Sequence, residues 1–170
     1  MMSPEELYNQ ELKEAKSVKT PQELLAEGEI DQDSVQCRIC WSAESTDQNP
    51  LIVACQCKGS VGLIHFQCLK NWLQTQKQEK VPQQGALSNV RSFYWKRFEC
   101  EICKQMYPYT FKIDKAIYKI VDVSEHINGH NNNYILLESM PLDKNNSRNV
   151  HLLTVTPQQS EFKLGRGHES

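Results

Sequence analysis

Several features that assign proteins to common functional classes are missing from this sequence. No run approaches the roughly 18 apolar residues that a membrane-spanning helix needs. Residues 1–10 lack the basic and apolar segments of a secretory leader, so we expect a reducing compartment, the cytoplasm or the nucleus. There is no phosphate-binding loop, dinucleotide fingerprint or Ser/His/Asp arrangement, which argues against the enzyme classes built on those motifs. The net charge of −2 gives no reason to expect nucleic-acid binding.

The cysteines are confined to one region and alternate there with a histidine. Read as pairs, the residues are Cys37/Cys40, Cys55/Cys57, His65/Cys68 and Cys100/Cys103, and no cysteine lies outside this set. An odd number of cysteines does not suit a disulfide framework, whereas seven cysteines and one histidine supply the ligands of two tetrahedral zinc ions. Because eight ligands leave no coordination position for water, we predict two structural zinc ions that hold up a functional surface.

Local signals divide the N-terminal half into an arm and a zinc domain. Residues 1–34 are predicted to be a helical arm, with capping boxes that start helices over 3–16 and 20–27. The arm is either solvated or a docking segment for a partner. After His65, apolar residues at helical spacing predict a third helix. The Gln- and Lys-rich stretch 77–92, with Pro82 and Gly85, is predicted to be a loop insertion.

The C-terminal half is predicted to be a linker followed by strands. Residues 112–133 are predicted to be a linker, because 124–133 hold Gly129 and three consecutive asparagines. The partial apolar alternation over 111–121 would also suit a strand or a short helix. Strand-like runs follow at 134–138, 149–156 and 161–164. His126 and His130 are interpreted as solvated, and His151 as a half-buried strand residue.

The cysteine region resembles a known zinc domain. The segments that carry the likeness are Cys37-Arg38-Ile39-Cys40-Trp41, Cys55-Gln56-Cys57-Lys58-Gly59-Ser60, His65-Phe66-Gln67-Cys68-Leu69-Lys70-Asn71-Trp72-Leu73 and Cys100-Glu101-Ile102-Cys103. Over about residues 35–111 they resemble the RING-CH domain, the RING variant of membrane-associated ubiquitin ligases. The 31 residues between Cys68 and Cys100 are long for that family.

PHD fingers share the same ligand order and are the rival interpretation. The one-residue spacing of Cys55 and Cys57 and the seven residues before His65 both favour RING-CH. So does Trp72, four residues after Cys68, whereas Phe98 two residues before Cys100 is a PHD-like feature.

The resemblance implies a small α+β, zinc-stabilised cross-brace. One ion would be held by Cys37, Cys40, His65 and Cys68, and the other by Cys55, Cys57, Cys100 and Cys103. It also implies a groove for a ubiquitin-charged conjugating enzyme, lined by Ile39, Trp41, Trp72 and Ile102. Lys104 would be a basic residue bridging that enzyme and ubiquitin. The alternative for Ile39, Trp72 and Ile102 is packing in a small core.

A second, shorter resemblance lies at the end of the sequence. Residues 134–170, with Leu164-Gly165-Arg166, resemble the first strands of a forkhead-associated β-sandwich, which needs about a hundred residues. In that family the matching arginine contacts a phosphothreonine, so the resemblance implies that Arg166 binds a phosphopeptide.

Two functional hypotheses follow. The first is a soluble RING-CH ubiquitin ligase that binds a conjugating enzyme and ubiquitin and is directed to phosphorylated substrates. Because no membrane span is predicted, the membrane receptors that are the family's usual substrates are not expected. The alternative is a non-catalytic scaffold in a large intracellular assembly that uses the zinc module as a protein-binding surface.

Overall fold

The chain divides into two units, each made of two separate stretches of sequence. The computed structural model describes residue 13, residues 15–80, 90–121, 133–138 and 148–155, and residue 161. Residues 1–76 and 97–122 form one unit, here named the cysteine unit because it contains all seven cysteines; residues 77–96 and 123–170 form the other, the sheet unit. In the part of the chain that is described, no helix is long and apolar enough to cross a membrane.

The described elements are short. In chain order they are β1 (Lys16–Ser17), α1 (Pro21–Ala26), β2 (Leu51–Val53), β3 (Leu63–His65), α2 (Phe66–Thr75), β4 (Lys77–Lys80), β5 (Val90–Trp95), β6 (Thr110–Ile113), β7 (Ala116–Lys119), β8 (Asn133–Glu138) and β9 (Arg148–Val155), with 3₁₀ turns at Gln32–Ser34 and Gly59–Gly62.

The N-terminal arm packs on its own unit. The Thr20 N–H donates to the Glu23 carboxylate at 2.6 Å, which caps α1 and confirms the helix predicted over 20–27. Leu24 is buried, and the Val53 N–H of β2 donates to the Lys19 carbonyl oxygen at 3.0 Å. These contacts tie residues 19–24 to β2. The helix predicted over 3–16 lies mostly outside the described residues, and Lys16 belongs to β1.

A β-hairpin and a helix deliver the central ligands. Strands β2 and β3 pair antiparallel, and His65 ends β3 as the N-cap of α2. Helix α2 buries Phe66, Leu69 and Leu73, which confirms the predicted apolar stripe. Cys68 therefore lies in the first turn of α2, one turn beyond His65.

Residues 110–119 form two strands, which agrees with the strand alternative for 111–121 and not with a linker that begins at residue 112. Strands β6 and β7 form a hairpin, and β1 pairs with β6 in parallel. Phe111 is fully buried, and the Tyr118 ring meets Phe66 edge-on with centroids 5.3 Å apart. The short apolar alternation here is thus enough for a strand pair, because β1 extends it to a three-stranded sheet and Phe66 of α2 packs against Tyr118.

The sheet unit unites two segments that the sequence analysis separated. Its four strands are antiparallel in the order β4-β5-β9-β8. Strands β8 and β9 confirm the runs predicted at 134–138 and 149–156. The predicted loop insertion, however, contains β4 and the start of β5, since Phe93 and Trp95 gain burial by pairing with β9. The described strands of this unit make one sheet, and a forkhead-associated sandwich is not confirmed. The strand predicted at 161–164 lies outside the described residues except for Glu161.

Gly62 offers a test of the turn that precedes β3. A Cβ at this position would lie 2.7 Å from the Cys57 carbonyl oxygen and 3.3 Å from Val53 Cγ1. Because backbone must move to admit it, we expect Gly62→Ala to lower the free energy of unfolding by about 1–3 kcal/mol in chemical denaturation of the zinc-loaded chain. Lys58→Ala, at an exposed site in the same loop, is the control and should stay within about 0.5 kcal/mol. Equal effects of the two changes would contradict the steric explanation.

Candidate metal centre and the adjoining groove

The eight predicted ligands form two clusters in the described part of the chain. In each cluster the ligand atoms all lie within 4.8 Å of one another, and the members are Cys37, Cys40, His65 and Cys68 in the first site and Cys55, Cys57, Cys100 and Cys103 in the second. The ligand pairs therefore interleave along the chain, which is the grouping that the RING-CH resemblance implies. Each set has four sulfur or nitrogen donors, and this fits a closed tetrahedral zinc ion.

Two matching turns present the Cys-x-x-Cys pairs. In one, the Trp41 N–H donates to the Cys37 carbonyl oxygen at 2.8 Å; in the other, the Lys104 N–H donates to the Cys100 carbonyl oxygen at 2.9 Å. Trp41 and Lys104 have φ values of 62° and 60°, in the left-handed region that favours glycine. Each turn thus places a large side chain at a strained position immediately after a zinc ligand.

The orientation of His65 is set by its second nitrogen. Nδ1 faces the cysteines, 3.2 Å from Cys40 Sγ, and the Nε2–H donates to the Glu44 carbonyl oxygen. This backbone acceptor selects the tautomer whose Nδ1 lone pair is available to a metal ion.

The thiols of each cluster differ in acidity. Burial raises the pKa of the Cys37 thiol, but N–H donors, including Ile39 and His65 at 3.4 Å, outweigh it and lower the pKa to about 7. Burial likewise opposes ionisation of Cys100, while the N–H groups of Cys103 and Ile102 and the Arg38 guanidinium lower its pKa to about 6.

Two other thiols have pKa values above the usual range. Burial, followed by contact with Cys40 and the charge of Cys37, raises the pKa of Cys68 to about 12. Burial is also the main cause that raises the pKa of Cys55. Since zinc takes thiolates, binding releases protons and weakens as the pH falls.

An apolar groove adjoins both clusters. It has a volume of about 410 Å³ and is lined by Gln36, Arg38, Ile39, Trp41, Ser60, Val61, Ile64, Leu69, Trp72, Glu101, Ile102 and Tyr107. Ile39, Trp41, Val61 and Ile102 are 44, 69, 47 and 60% exposed, so they are not core residues. Trp72 is half-buried. The structure therefore brings together the four predicted groove residues.

The remaining predicted site residues lie elsewhere. Lys104 does not line the groove; it is exposed, and its Nζ lies 3.9 Å from Glu99 Oε1. His151 is a half-buried residue of β9 that contacts Ser92 Oγ through Nδ1 at 2.8 Å, as predicted for a strand residue. His126, His130 and Arg166 lie outside the described residues.

Sequence reasoning missed two contributors to the site. Val61 reaches the groove from the 3₁₀ turn Gly59–Gly62, and no periodicity marks it in the sequence. Arg38 lies between two ligands of the first site, yet its guanidinium reaches the sulfurs of the second site. Only the interleaved fold brings these groups together.

Comparison with known proteins identifies the zinc region. The family model of the RING-variant domain matches residues 37–103. Residues 37–103 form a RING-variant domain. This assignment selects RING-CH over the PHD alternative, and the RING-variant domain accommodates β4 and β5 as an insertion between α2 and Cys100.

Several curated proteins contain a similar RING-variant domain. Probable E3 ubiquitin-protein ligase MARCHF10 of Rattus norvegicus is 37% identical over 84 residues, 49% of this chain and 9% of that protein. E3 ubiquitin-protein ligase MARCHF7 of Mus musculus is 33% identical over 82 residues, 48% of this chain and 10% of that protein. ERAD-associated E3 ubiquitin-protein ligase DOA10 of Saccharomyces cerevisiae is 36% identical over 76 residues, 45% of this chain and 5% of that protein. The chain thus spans a tenth or less of these relatives.

The interleaved ligands predict that the RING-variant domain unfolds cooperatively when one zinc site is lost. We expect two zinc ions per chain by elemental analysis. We expect Cys37→Ser and Cys103→Ser each to lose the folded structure of the other zinc site as well as their own. The reason is that the ligands of each site flank those of the other along the chain. Amide NMR spectra should show collapsed dispersion in both variants, as after chelation of the wild-type chain. A variant that keeps the second zinc and the dispersion of the other site would contradict this cooperativity.

Proposed function

We propose that the chain is a RING-type E3 ubiquitin ligase whose RING-variant domain binds a ubiquitin-charged conjugating enzyme. The observation that carries the proposal is the groove beside the two zinc sites, because three of its large apolar residues, Ile39, Trp41 and Ile102, are exposed where a small domain would be expected to bury them. The similarity to E3 ubiquitin-protein ligases described above supports the same proposal.

The groove is lined by residues of three elements. Ile39 and Ile102 come from the two Cys-x-x-Cys turns, and Trp72 comes from α2. Ile39 and Ile102 occupy the same place in the two turns, each directly before the second cysteine. Aromatic and aliphatic anchors set in a rigid frame are the usual sources of binding energy at such interfaces. Zinc ligation on both sides supplies the rigid frame here.

The proposed contribution to transfer is orientation. In such a reaction the ubiquitin acyl group leaves the conjugating enzyme's thioester and joins an amine of the substrate. Both zinc donor sets are closed, so they offer no water or open position for that step. A groove that holds the charged enzyme in one reactive pose can still supply a large rate gain, because it removes orientational freedom beforehand.

Lys104 is proposed as an auxiliary contact to ubiquitin. Its exposed ammonium follows the last zinc ligand and is held near Glu99 by a left-handed backbone. Lys104 lies outside the groove, so its side chain stays accessible to ubiquitin when the conjugating enzyme occupies the groove.

Phosphopeptide binding by Arg166 stays a prediction, since that residue lies outside the described part of the chain. A cytoplasmic or nuclear location is also proposed, on the ground that the cysteine thiolates need a reducing compartment.

Ile39→Ala tests the groove. We expect auto-ubiquitination with a panel of conjugating enzymes to fall about tenfold, while two zinc ions stay bound, because an exposed anchor is truncated without disturbing a ligand. The matched control is Ile135→Ala, since Ile135 is 45% exposed against 44% for Ile39 and belongs to the sheet unit. Transfer by Ile39→Ala at the wild-type rate would contradict the groove assignment. Two bound zinc ions and no transfer by the wild type with any enzyme would favour the scaffold alternative.

Trp41→Gly separates function from stability. A left-handed backbone costs a non-glycine residue about 1–2 kcal/mol, and glycine removes that cost while losing up to about 1 kcal/mol through greater freedom in the unfolded chain. We therefore expect a melting temperature no lower than wild type together with at least about tenfold weaker binding of the conjugating enzyme, measured by calorimetry. A clear fall in melting temperature, or unchanged binding, would contradict a partner-binding role for Trp41.

A further inference from the structure

The side chain of Arg38 leaves the first zinc site and reaches the second. Its backbone lies between Cys37 and Cys40, which are ligands of the first site. Its Nη1, however, lies 3.6 Å from Cys100 Sγ and 4.0 Å from Cys55 Sγ, both ligands of the second site. Sulfur acceptors are large and form long hydrogen bonds, so Arg38 is within donating range of the second site.

Fixed neighbours hold the guanidinium in this position. Nη1 also donates to the Val61 carbonyl oxygen at 3.2 Å, and Nη2 donates to the Tyr107 hydroxyl at 3.0 Å. Tyr107 is only 1% exposed, so its hydroxyl is part of the interior. The planar fork of arginine satisfies these separate acceptors at once, which the single ammonium of a lysine would not do.

The two zinc sites differ in their need for a positive neighbour. Four thiolates outweigh the charge of a zinc ion by two, whereas three thiolates and a neutral histidine outweigh it by one. Excess charge is costly where it is shielded from water, and Cys100 is fully buried. A positively charged donor on the sulfurs of the all-cysteine site therefore stabilises the site that carries the larger net negative charge.

We propose that Arg38 is a positioning residue for the second zinc site, acting as its counter-charge and sulfur hydrogen-bond donor although it is carried by the first site's turn. The first turn can place the guanidinium only when its own ligands are ordered. The two sites are thus linked through one side chain as well as through the path of the chain. This role is independent of the proposed ligase activity, because it concerns metal retention.

The experiment measures metal retention site by site in the full chain. Cadmium-113 NMR gives separate resonances for an all-cysteine site and a site with three cysteines and one histidine, and competition with a chelator ranks their affinities. We expect Arg38→Gln to weaken the Cys55, Cys57, Cys100 and Cys103 site by about 10- to 100-fold and the first site much less. Arg38→Lys should give a smaller selective loss, because it keeps the charge without the fork. Arg91→Gln, which removes an exposed ion pair with Glu79 in the sheet unit, is the matched control.

Tyr107→Phe tests the same idea while keeping the charge. It removes the acceptor of Nη2, and we expect about fivefold weaker metal binding at the second site only. This variant decides the matter if Arg38→Gln does not fold. Equal weakening of both sites, weakening confined to the first site, or no change at either site would overturn the proposal. The experiment measures metal affinity and not ubiquitin transfer, so each of these results can be told apart from a failure of the proposed ligase function.

Discussion

Interleaved metal ligation is the constraint on which the cysteine unit depends. Cys40 and His65 of the first site are 25 positions apart, and Cys57 and Cys100 of the second are 43 apart, so each ion closes a long loop that contains ligands of the other. The elements between them are too short to be stable alone, since β2 and β3 have three residues each. Metal binding and folding are therefore one event in this unit.

The same constraint frees apolar side chains for recognition. A domain held by metal needs fewer buried residues, and the two Cys-x-x-Cys turns hold Ile39 and Ile102 outward in equivalent positions. The residues that follow the turns, Trp41 and Lys104, share a left-handed backbone that glycine would adopt at less cost. Strain kept at two exposed positions beside a groove is the pattern expected of a surface shaped for binding rather than for stability. The residues directly after the first cysteine of each turn, Arg38 and Glu101, both line the groove, but Arg38 also reaches the Cys100 sulfur of the second site.

Zinc ligation also explains how the domain accepts a large insertion. Cys68 is the last ligand of the first site along the chain, and Cys100 is the next ligand of the second site. The segment between them can therefore vary in length without changing either donor set. Here the insertion supplies β4 and β5, and β5 pairs with β9 from beyond residue 123 to form a separate four-stranded sheet. Phe93 and Trp95 of β5 are buried in that sheet, and Phe93 is paired across the strands with Val150 of β9.

The sequence by itself determined the eight ligands, the number of zinc ions and the helix after His65. These follow from ligand chemistry and from local spacing, both of which are readable along one segment. The four apolar residues of the groove were implied only by the resemblance to the RING-CH domain. Only the tertiary structure decided that the Arg38 guanidinium lies on Cys100, that Val61 joins the groove and that the insertion forms strands with β9. Those features are contacts between residues far apart in the chain, and no local pattern encodes a partner that another segment supplies. For the same reason the sequence left 111–121 open between a linker, a strand and a short helix, since β6 pairs with β1 and Tyr118 of β7 packs against Phe66 of α2.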